Sequence, residues 1–146
     1  MSAGIQTNLL SQFEAARLND TLRGATSLQF LRGAAAFTQG DYDAGLRQMI
    51  NAVKPHGRIS WPLVTYFPYL WDYQHHMFLK PTVTVDFAQR VGHSFQYEYE
   101  AEPTSGTYLS LLDLVATTRA AISPLEPQDN IDIQSFIWVV GAYPQE

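Results

Sequence analysis

SWPLVTYFPYLWDYQHHMFLKP, residues 60–81, is the stretch of this sequence that most constrains the fold. It holds two of the three tryptophans in the chain, together with three prolines, two adjacent histidines and one lysine. A segment so rich in rings has to bury them, and its few polar groups then need partners inside the protein. We therefore expect this stretch to form one wall of any functional site.

The length and composition of the chain predict one domain, residues 1–146. Of its 146 residues, 46% are hydrophobic and only 16% are charged, which is enough apolar material for one substantial core. So few charges indicate that much of the chain is buried or that a partner covers part of its surface. The net charge of −5 argues against a protein that coats DNA.

Missing residue types narrow the chemistry further. The absence of cysteine excludes disulfides, zinc–thiolate sites, iron–sulfur clusters and cysteine nucleophiles, and it fits a reducing cytoplasm. Residues 1–10 do not form a signal peptide, and no apolar run approaches the ~20 residues that span a bilayer. We predict a cytoplasmic protein with no membrane partner, in which residues 1–8 form a flexible N-terminus.

Apolar residues at helical spacing predict an all-α fold. Ser11 and Glu14 form a capping box at the start of the first helix, and Gly24 ends that helix. Residues 28–55 resemble one tetratricopeptide hairpin, but no second copy follows, which favours an ordinary antiparallel helix pair. The patterns together predict a compact bundle of six or seven helices, the last of them at about residues 128–140.

The middle of the chain carries residues that limit helices or favour extended structure. Pro68 lies far enough inside the helix that starts near Ser60 to kink or end it, and Pro81 forces Lys80 out of the helical region. Thr84 is expected to cap a short helix that follows. Residues 95–100, FQYEYE, alternate aromatic and polar side chains strictly, which predicts an extended arm whose rings lie on the helices.

His75 and His76 are the first candidates for chemistry. Adjacent helical residues point about 100° apart, so two such histidines rarely share one metal ion. With Asp72 they could make a weak two-ligand site. We favour the alternative, in which one histidine packs in the core and the other faces solvent.

Lys80, Asp129 and Asp132 are the charged candidates. Lys80 is expected to be partly desolvated and to pair with Asp132 or Asp129, or else to bind a phosphate or carboxylate; we favour the ion pair. Both aspartates fall in the first turn of the last helix, where carboxylates favour the positive helix end. Capping is the simpler role for Asp129. For Asp132, capping is about as well supported as a role in cation binding or acid–base chemistry.

The last helix is apolar on two sides, which is typical of a helix buried between neighbours. Its polar residues then need partners, such as loop amides, Lys80, a histidine or a ligand. We predict that residues 60–81 and the last helix meet and that their polar side chains pair at this contact. The candidate binding pocket comprises His76, Lys80, Asp129, Asp132, Gln134, Ser135, Trp61 and Trp138.

No motif marks a known catalytic class. The sequence lacks a glycine-rich phosphate loop, a GxSxG elbow, an HExxH motif and a dinucleotide fingerprint. The rings of residues 60–81 could stack nucleobases, but no basic residues are interleaved with them, so core packing is favoured. We predict no cofactor and no metal site, and whether the chain is an enzyme stays open.

Several segments carry a resemblance to known proteins. TNLLSQFE, WPLVTYFPYL, HHMFLKPTVT, TYLSLLDL and DNIDIQSFIWV together resemble an uncharacterised family of bacterial proteins, over residues 7–139. Residues 66–92 also resemble, more weakly, part of the helix-hairpin-helix DNA glycosylases, although the glycine-rich hairpin and a catalytic aspartate after it are missing. The bacterial family implies these recurring positions: Trp61, Pro62, His76, Phe78, Lys80, Pro81, Tyr108, Asp129, Asp132, Gln134, Ser135 and Trp138.

Two classes of function follow. The absence of a catalytic signature and the sparse charge favour a non-enzymatic binding or protein-interaction module, within a multi-protein system. The alternative is an enzyme or a nucleic-acid- or nucleotide-binding domain with a polar pocket around Lys80, His76, Asp132 and Gln134. A sensor of phosphate or nucleotides would use the same residues without turnover.

Overall fold

The computed structural model describes residues 9–142, and it confirms the predicted all-α class. These residues form a compact bundle of eight α-helices without a strand, one helix more than the upper prediction. The predicted flexible segment, residues 1–8, lies outside the described part of the chain. The helices are α1 (Gln12–Arg23), α2 (Ser27–Thr38), α3 (Tyr42–Val53), α4 (Trp61–Trp71), α5 (Pro81–Val91), α6 (Phe95–Glu98), α7 (Ser105–Ala121) and α8 (Asn130–Ala142).

Helix α1 begins with the predicted capping box. The Ser11 hydroxyl accepts a hydrogen bond from the backbone N–H of Glu14 at 3.1 Å, and the Glu14 carboxylate accepts one from the Ser11 N–H at 3.0 Å. Two of the free N–H groups at the helix start are thereby satisfied. The other oxygen of Glu14 accepts a hydrogen bond from Ser60 at 2.6 Å, which ties α1 to the start of α4.

Helices α2 and α3 form a tightly packed hairpin. A methyl group added at Gly45 would lie 2.7 Å from the carbonyl oxygen of Gly33, and one added at Gly33 would lie 2.9 Å from that of Gly45. Only glycine leaves room for two backbones this close. The turn between the helices uses Gly40, which has a φ of 100°.

Helix α4 lies at the centre of the core. The sequence predicted that Pro68 kinks or ends this helix, and the helix does not end there. It continues to Trp71, and the N–H of Asp72 donates to the Pro68 carbonyl at 2.9 Å. Proline removes one hydrogen bond from a helix interior. The Pro68 side chain is itself buried in the core, and apolar burial offsets that cost. Trp61, at the other end of α4, is 1% exposed and donates from its indole nitrogen to the Glu100 carbonyl.

Helix α5 begins earlier than predicted. Lys80 is extended, as expected before a proline, and Pro81 occupies the first helical position, where its missing N–H has no cost. Thr84 therefore lies inside the helix and does not cap it; its hydroxyl donates to the Lys80 carbonyl at 2.7 Å. Gly92, with a φ of 74°, ends α5 as predicted.

The predicted extended arm at residues 95–100 is wrong, because Phe95–Glu98 form the single helical turn α6. The N–H groups of Tyr97 and Glu98 both donate to the Ser94 carbonyl, and the His93 ring accepts from the N–H of Phe95. With no neighbouring strand to pair with, these backbone groups bond locally. Only Phe95 is fully buried, and Tyr97 is 83% exposed.

Helix α8 packs against α5 and α7 and buries Ile133 and Ile137 completely. It starts at Asn130, two residues later than predicted. Thr104 caps α7 by accepting a hydrogen bond from the N–H of Thr107 at 3.2 Å. Among residues 9–142, no helix combines the length and the apolar character needed to cross a membrane.

Candidate functional site

A buried hydrogen-bonded chain joins the segment after α4 to α2 and α7; we call it the His76 layer, comprising His76, Tyr108, Thr38 and Met77. His76 is 3% exposed, its Nε2 lies 2.7 Å from the Thr38 carbonyl oxygen, and its Nδ1 lies 2.9 Å from the Tyr108 hydroxyl. A carbonyl only accepts, so Nε2 carries the proton and Nδ1 accepts from Tyr108. Both ring nitrogens are occupied, and the layer therefore holds the fold together.

Tyr108 links two members of this layer. Its hydroxyl oxygen also accepts a hydrogen bond from the Met77 N–H at 3.2 Å. Burial raises the pKa of the Tyr108 phenol well above its ordinary value, against the opposing effect of the Met77 hydrogen bond. Tyr108 therefore stays protonated at neutral pH, as a donor to His76 must.

His75 is the exposed histidine, as the favoured interpretation of one buried and one exposed histidine predicted. Its side chain is 78% exposed, and Nδ1 lies 3.0 Å from the Asp72 carboxylate. Partial burial acts to raise the pKa of Asp72, but the hydrogen bond and charge of His75 outweigh it and the pKa is lowered. Within residues 9–142, no group of three or more histidine or acidic side chains is placed to hold a metal ion.

Asn130, which the sequence analysis did not select, fixes α8 to the rest of the bundle. Its side-chain nitrogen donates to the His76 carbonyl at 2.8 Å, and its backbone N–H donates to the Tyr73 carbonyl at 3.0 Å. Its side-chain oxygen accepts from Arg119 of α7 at 2.5 Å. An asparagine that is 2% exposed has to satisfy its amide inside the protein, and the backbone of residues 60–81 supplies the acceptors.

Gln134 makes a second contact between α8 and residues 60–81, so the predicted meeting of these segments is present. Oriented to satisfy both groups, its amide nitrogen donates to the Phe78 carbonyl at 3.1 Å and its amide oxygen accepts from the Trp138 indole. Gln134 is 5% exposed. The Gln134 amide therefore stabilises the fold through hydrogen bonds inside the protein, as the side chain of His76 does.

Asp129 and Asp132 cap the start of α8. The Asp129 carboxylate accepts from the Asp132 N–H at 3.1 Å, and the Asp132 carboxylate accepts from the Gln128 N–H at 2.9 Å. Neither forms the expected ion pair with Lys80, because each faces the helix start. Both lie near Tyr69, whose pKa is raised first by burial and then by these two charges.

Ser135 lies on the outer face of α8. It is exposed and lines, with Asp132, a groove of about 420 Å³ between α8 and the segment that precedes it. The eight predicted pocket residues are therefore distributed over the core, the helix start, this groove and a separate cleft. Lys80 contacts Trp138 beside that cleft, and Trp138 also donates to Gln134, so these three predicted residues remain together.

The Lys80 ammonium lies over the Trp138 ring, 5.7 Å from its centroid, at the edge of an open space of about 520 Å³ that we call the Lys80 cleft. A cation over an indole face gains electrostatic stabilisation without losing its charge. Helices α1, α5 and α8 and the residues around the start of α4 all contribute to the walls. The lining residues are Glu14, Ser60, Pro62, Lys80, Pro81, Thr82, Val83, Asp86 and Gly141.

The C-terminal end of α4 carries exposed rings, contrary to the core packing expected for the whole aromatic stretch. Leu70 is 36% exposed, Trp71 is 50% exposed and Tyr73 is 39% exposed; we call these three residues the α4-end surface. The Trp71 ring stacks on Phe67, with centroids 5.3 Å apart and 6° between the planes. This stack holds the Trp71 ring against the bundle, and the Asp72–His75 pair lies beside the surface in the chain.

The α4-end surface and the Lys80 cleft are features of the described residues that internal bonding does not account for. Every deeply buried side-chain nitrogen or oxygen among them has a hydrogen-bond partner. Comparison with known proteins adds no assignment to either feature: no protein family, no curated protein and no solved structure matches this chain.

Proposed function

We propose that this domain is a non-enzymatic protein-interaction module that binds a different protein through the α4-end surface. The observation that carries the proposal is the exposure of Trp71 and Tyr73 beside Leu70. Tryptophan and tyrosine dominate the energetic centres of protein interfaces. Clustered exposed apolar side chains on a soluble fold mark such surfaces.

Pre-organisation supports the same conclusion. Trp71 is held by its stack on Phe67, and Phe67 in turn contacts Phe30 of α2 at 6.0 Å between ring centroids. A partner that binds a ring already fixed in place loses little side-chain entropy. Leu28 and Leu31, which flank Phe30 in the sequence, are 56% and 38% exposed and extend the apolar character of α2.

The internal hydrogen bonds argue against the enzymatic alternative. His76 and Gln134 are two of the four residues of the alternative pocket. Their polar atoms form hydrogen bonds with the backbone, with Tyr108 and with Trp138. Asp132, a third, caps α8. General acid–base chemistry needs a group that can reach a substrate, and the buried side chains of His76 and Gln134 are committed to structural bonds.

The test compares Trp71→Ser with Leu109→Ser, a matched change at a residue of α7 that is 53% exposed. Proteins captured by the wild-type domain are identified, and the binary complex is reconstituted from purified components. Loss of a central tryptophan costs an interface about 2 kcal/mol, so we expect binding about 30-fold weaker in Trp71→Ser and unchanged in Leu109→Ser.

Hydrogen exchange of the reconstituted complex gives the second readout, with protection expected at residues 67–73. Equal binding by both variants, or protection confined to another face, would overturn the proposal. So would a wild-type homodimer that Trp71→Ser dissociates, because the partner would then be a second copy. Circular dichroism checks that both variants keep the helical fold.

A further inference from the structure

We propose that the Lys80 cleft binds a small monocarboxylate with a short apolar body. The site is separate from the α4-end surface, and it stands or falls independently of the protein partner. Its volume of about 520 Å³ falls in the range of small-molecule sites, about 300–1,000 Å³. Four parts of the chain, α1, the start of α4, α5 and α8, converge on it.

The Lys80 ammonium supplies the charge for such a ligand. No carboxylate among the described residues lies within 4 Å of it, although Lys80 is partly buried. The Trp138 face stabilises the cation but provides no acceptor oxygen. An ammonium has three donors, and those not aimed at the ring can bond an anion in the cleft.

The carboxylates of the cleft select against more highly charged anions. Glu14 lines the cleft, but its two oxygens already accept hydrogen bonds from the Ser11 N–H and the Ser60 hydroxyl. Asp86 is exposed on the face of α5 that carries Thr82, one helical turn away. Lys80, Glu14 and Asp86 together give the cleft a net charge of −1, so an anion is held only by direct contact with the Lys80 ammonium. Repulsion by the two carboxylates grows with the charge of the ligand, and a phosphate or nucleotide is therefore disfavoured more than a monocarboxylate.

The remaining walls suit a hydrocarbon body. Pro62, Pro81 and Val83 line the cleft with apolar surface, and Pro62 is itself buried in the core. Burial of an alkyl chain against such side chains favours binding. The combination of one cation, an apolar wall and limited space points to a carboxylate carried by a short alkyl or aryl group.

The experiment is a ¹H–¹⁵N NMR titration of the domain with sodium hexanoate, hexanamide and inorganic phosphate. Hexanamide has the shape of hexanoate without its charge. We expect saturable shifts of the Thr82, Val83 and Gly141 amides with hexanoate and binding about tenfold weaker for hexanamide, since a charge-assisted hydrogen bond is lost. The Lys80→Met variant is expected to lose the same shifts, and Lys80→Arg to retain them.

Lys54→Met is the matched control, because Lys54 is exposed and lies outside the cleft. It should bind hexanoate like the wild type. The proposal is overturned if hexanoate gives no saturable shift at these amides, if hexanamide or phosphate binds as tightly, or if Lys80→Met still binds hexanoate. The spectrum of each variant away from the cleft shows whether its fold is intact.

Discussion

His76 and Lys80 lie four residues apart in one segment, but their burial and their hydrogen bonding in the bundle differ. His76 is 3% exposed, and its two nitrogens bond Thr38 and Tyr108. Lys80 is only partly buried, its ammonium lies over the Trp138 ring, and beyond it an open cleft begins. In sequence, both are polar residues in an apolar stretch, and both fit the same description of a site residue.

The difference teaches how to distinguish structural from functional polar groups. A polar residue in an apolar stretch indicates only that a partner is needed. Where other elements of the same chain supply that partner, the residue holds the fold together. Where the described residues supply only an aromatic face, as residues 9–142 do for Lys80, an acceptor from another molecule can bind the remaining donors.

The largest change in stability is expected at the two adjacent histidines, and it tests whether His76 is a structural residue. His76→Leu leaves the Thr38 carbonyl and the Tyr108 hydroxyl without their partner in the core. Buried groups left unpaired cost roughly 1–3 kcal/mol each, so we expect a loss of about 3 kcal/mol in the free energy of unfolding. Urea denaturation measures it. His75→Leu is the control, and an equal loss there would contradict the structural role of His76.

Tyr108→Phe should cost less at neutral pH, about 2 kcal/mol, because it strands the Met77 N–H and the His76 Nδ1. The pH dependence of the free energy of unfolding gives a second test of the role of Tyr108. A tyrosine in the unfolded chain ionises near pH 10, whereas burial raises the pKa of Tyr108 in the fold. Above about pH 10 the native state therefore keeps a proton that the unfolded state loses, and stability falls by about 1.4 kcal/mol per pH unit.

The phenylalanine variant lacks that contribution, so its stability should fall less steeply between about pH 8 and about pH 11. Urea midpoints across this range for both proteins measure the difference in slope. Tyr69 is present in both chains, and its own raised pKa cancels in the comparison. Parallel slopes would mean that the hydroxyl of Tyr108 ionises as freely in the fold as outside it.

Substitutions at Asp129 distinguish a capping role at the start of α8 from a role in binding a ligand. Asp129→Ala removes the acceptor of the Asp132 N–H and should cost about 1 kcal/mol, as caps generally do. Asp129→Ser should restore most of this stability, because a serine hydroxyl also accepts from the helix start. Thermal unfolding of the three proteins tests this. A serine variant as unstable as the alanine variant would show that the negative charge itself is required.

Lys80→Met gives the smallest expected effect on the fold. The long apolar stem is kept and only the contact of the ammonium with the Trp138 ring is lost, so we expect a change below about 1 kcal/mol. Urea denaturation of Lys80→Met beside Lys54→Met provides the measurement. A loss comparable to that of His76→Leu would place Lys80 among the structural residues and remove the contrast drawn above.

Local signals in the sequence predicted much of this fold. The capping box at Ser11, the glycine end of α5 and the extended backbone of Lys80 all depend on neighbours within a few residues, and all are found. Two predicted outcomes that the structure contradicts, a helix end at Pro68 and an extended arm at residues 95–100, have the opposite origin. Core burial carries α4 past Pro68, and the lack of any partner strand lets α6 close a helical turn.

The site was harder to predict because its partners lie far apart in the chain. His76 bonds Thr38 and Tyr108 at separations of 38 and 32 residues, and Asn130 reaches the His76 carbonyl across 54. Backbone carbonyls such as those of His76 and Phe78 carry no side-chain signature, so the sequence does not show that they accept from Asn130 and Gln134. The contact of α8 with residues 60–81 was predicted correctly. The predicted pairing of polar side chains with one another is wrong for Asn130 and Gln134, because both donate to backbone carbonyls of that segment.

The glycine contact of α2 with α3 bears on the order in which the molecule assembles. Gly33 and Gly45 meet across a short turn, so the entropy lost in closing that loop is small. The bonds of His76 and Asn130 each close far longer loops. Proteins reach local contacts before distant ones. We expect the hairpin to be the folding nucleus, onto which the tryptophan-rich segment and then the C-terminal helix condense.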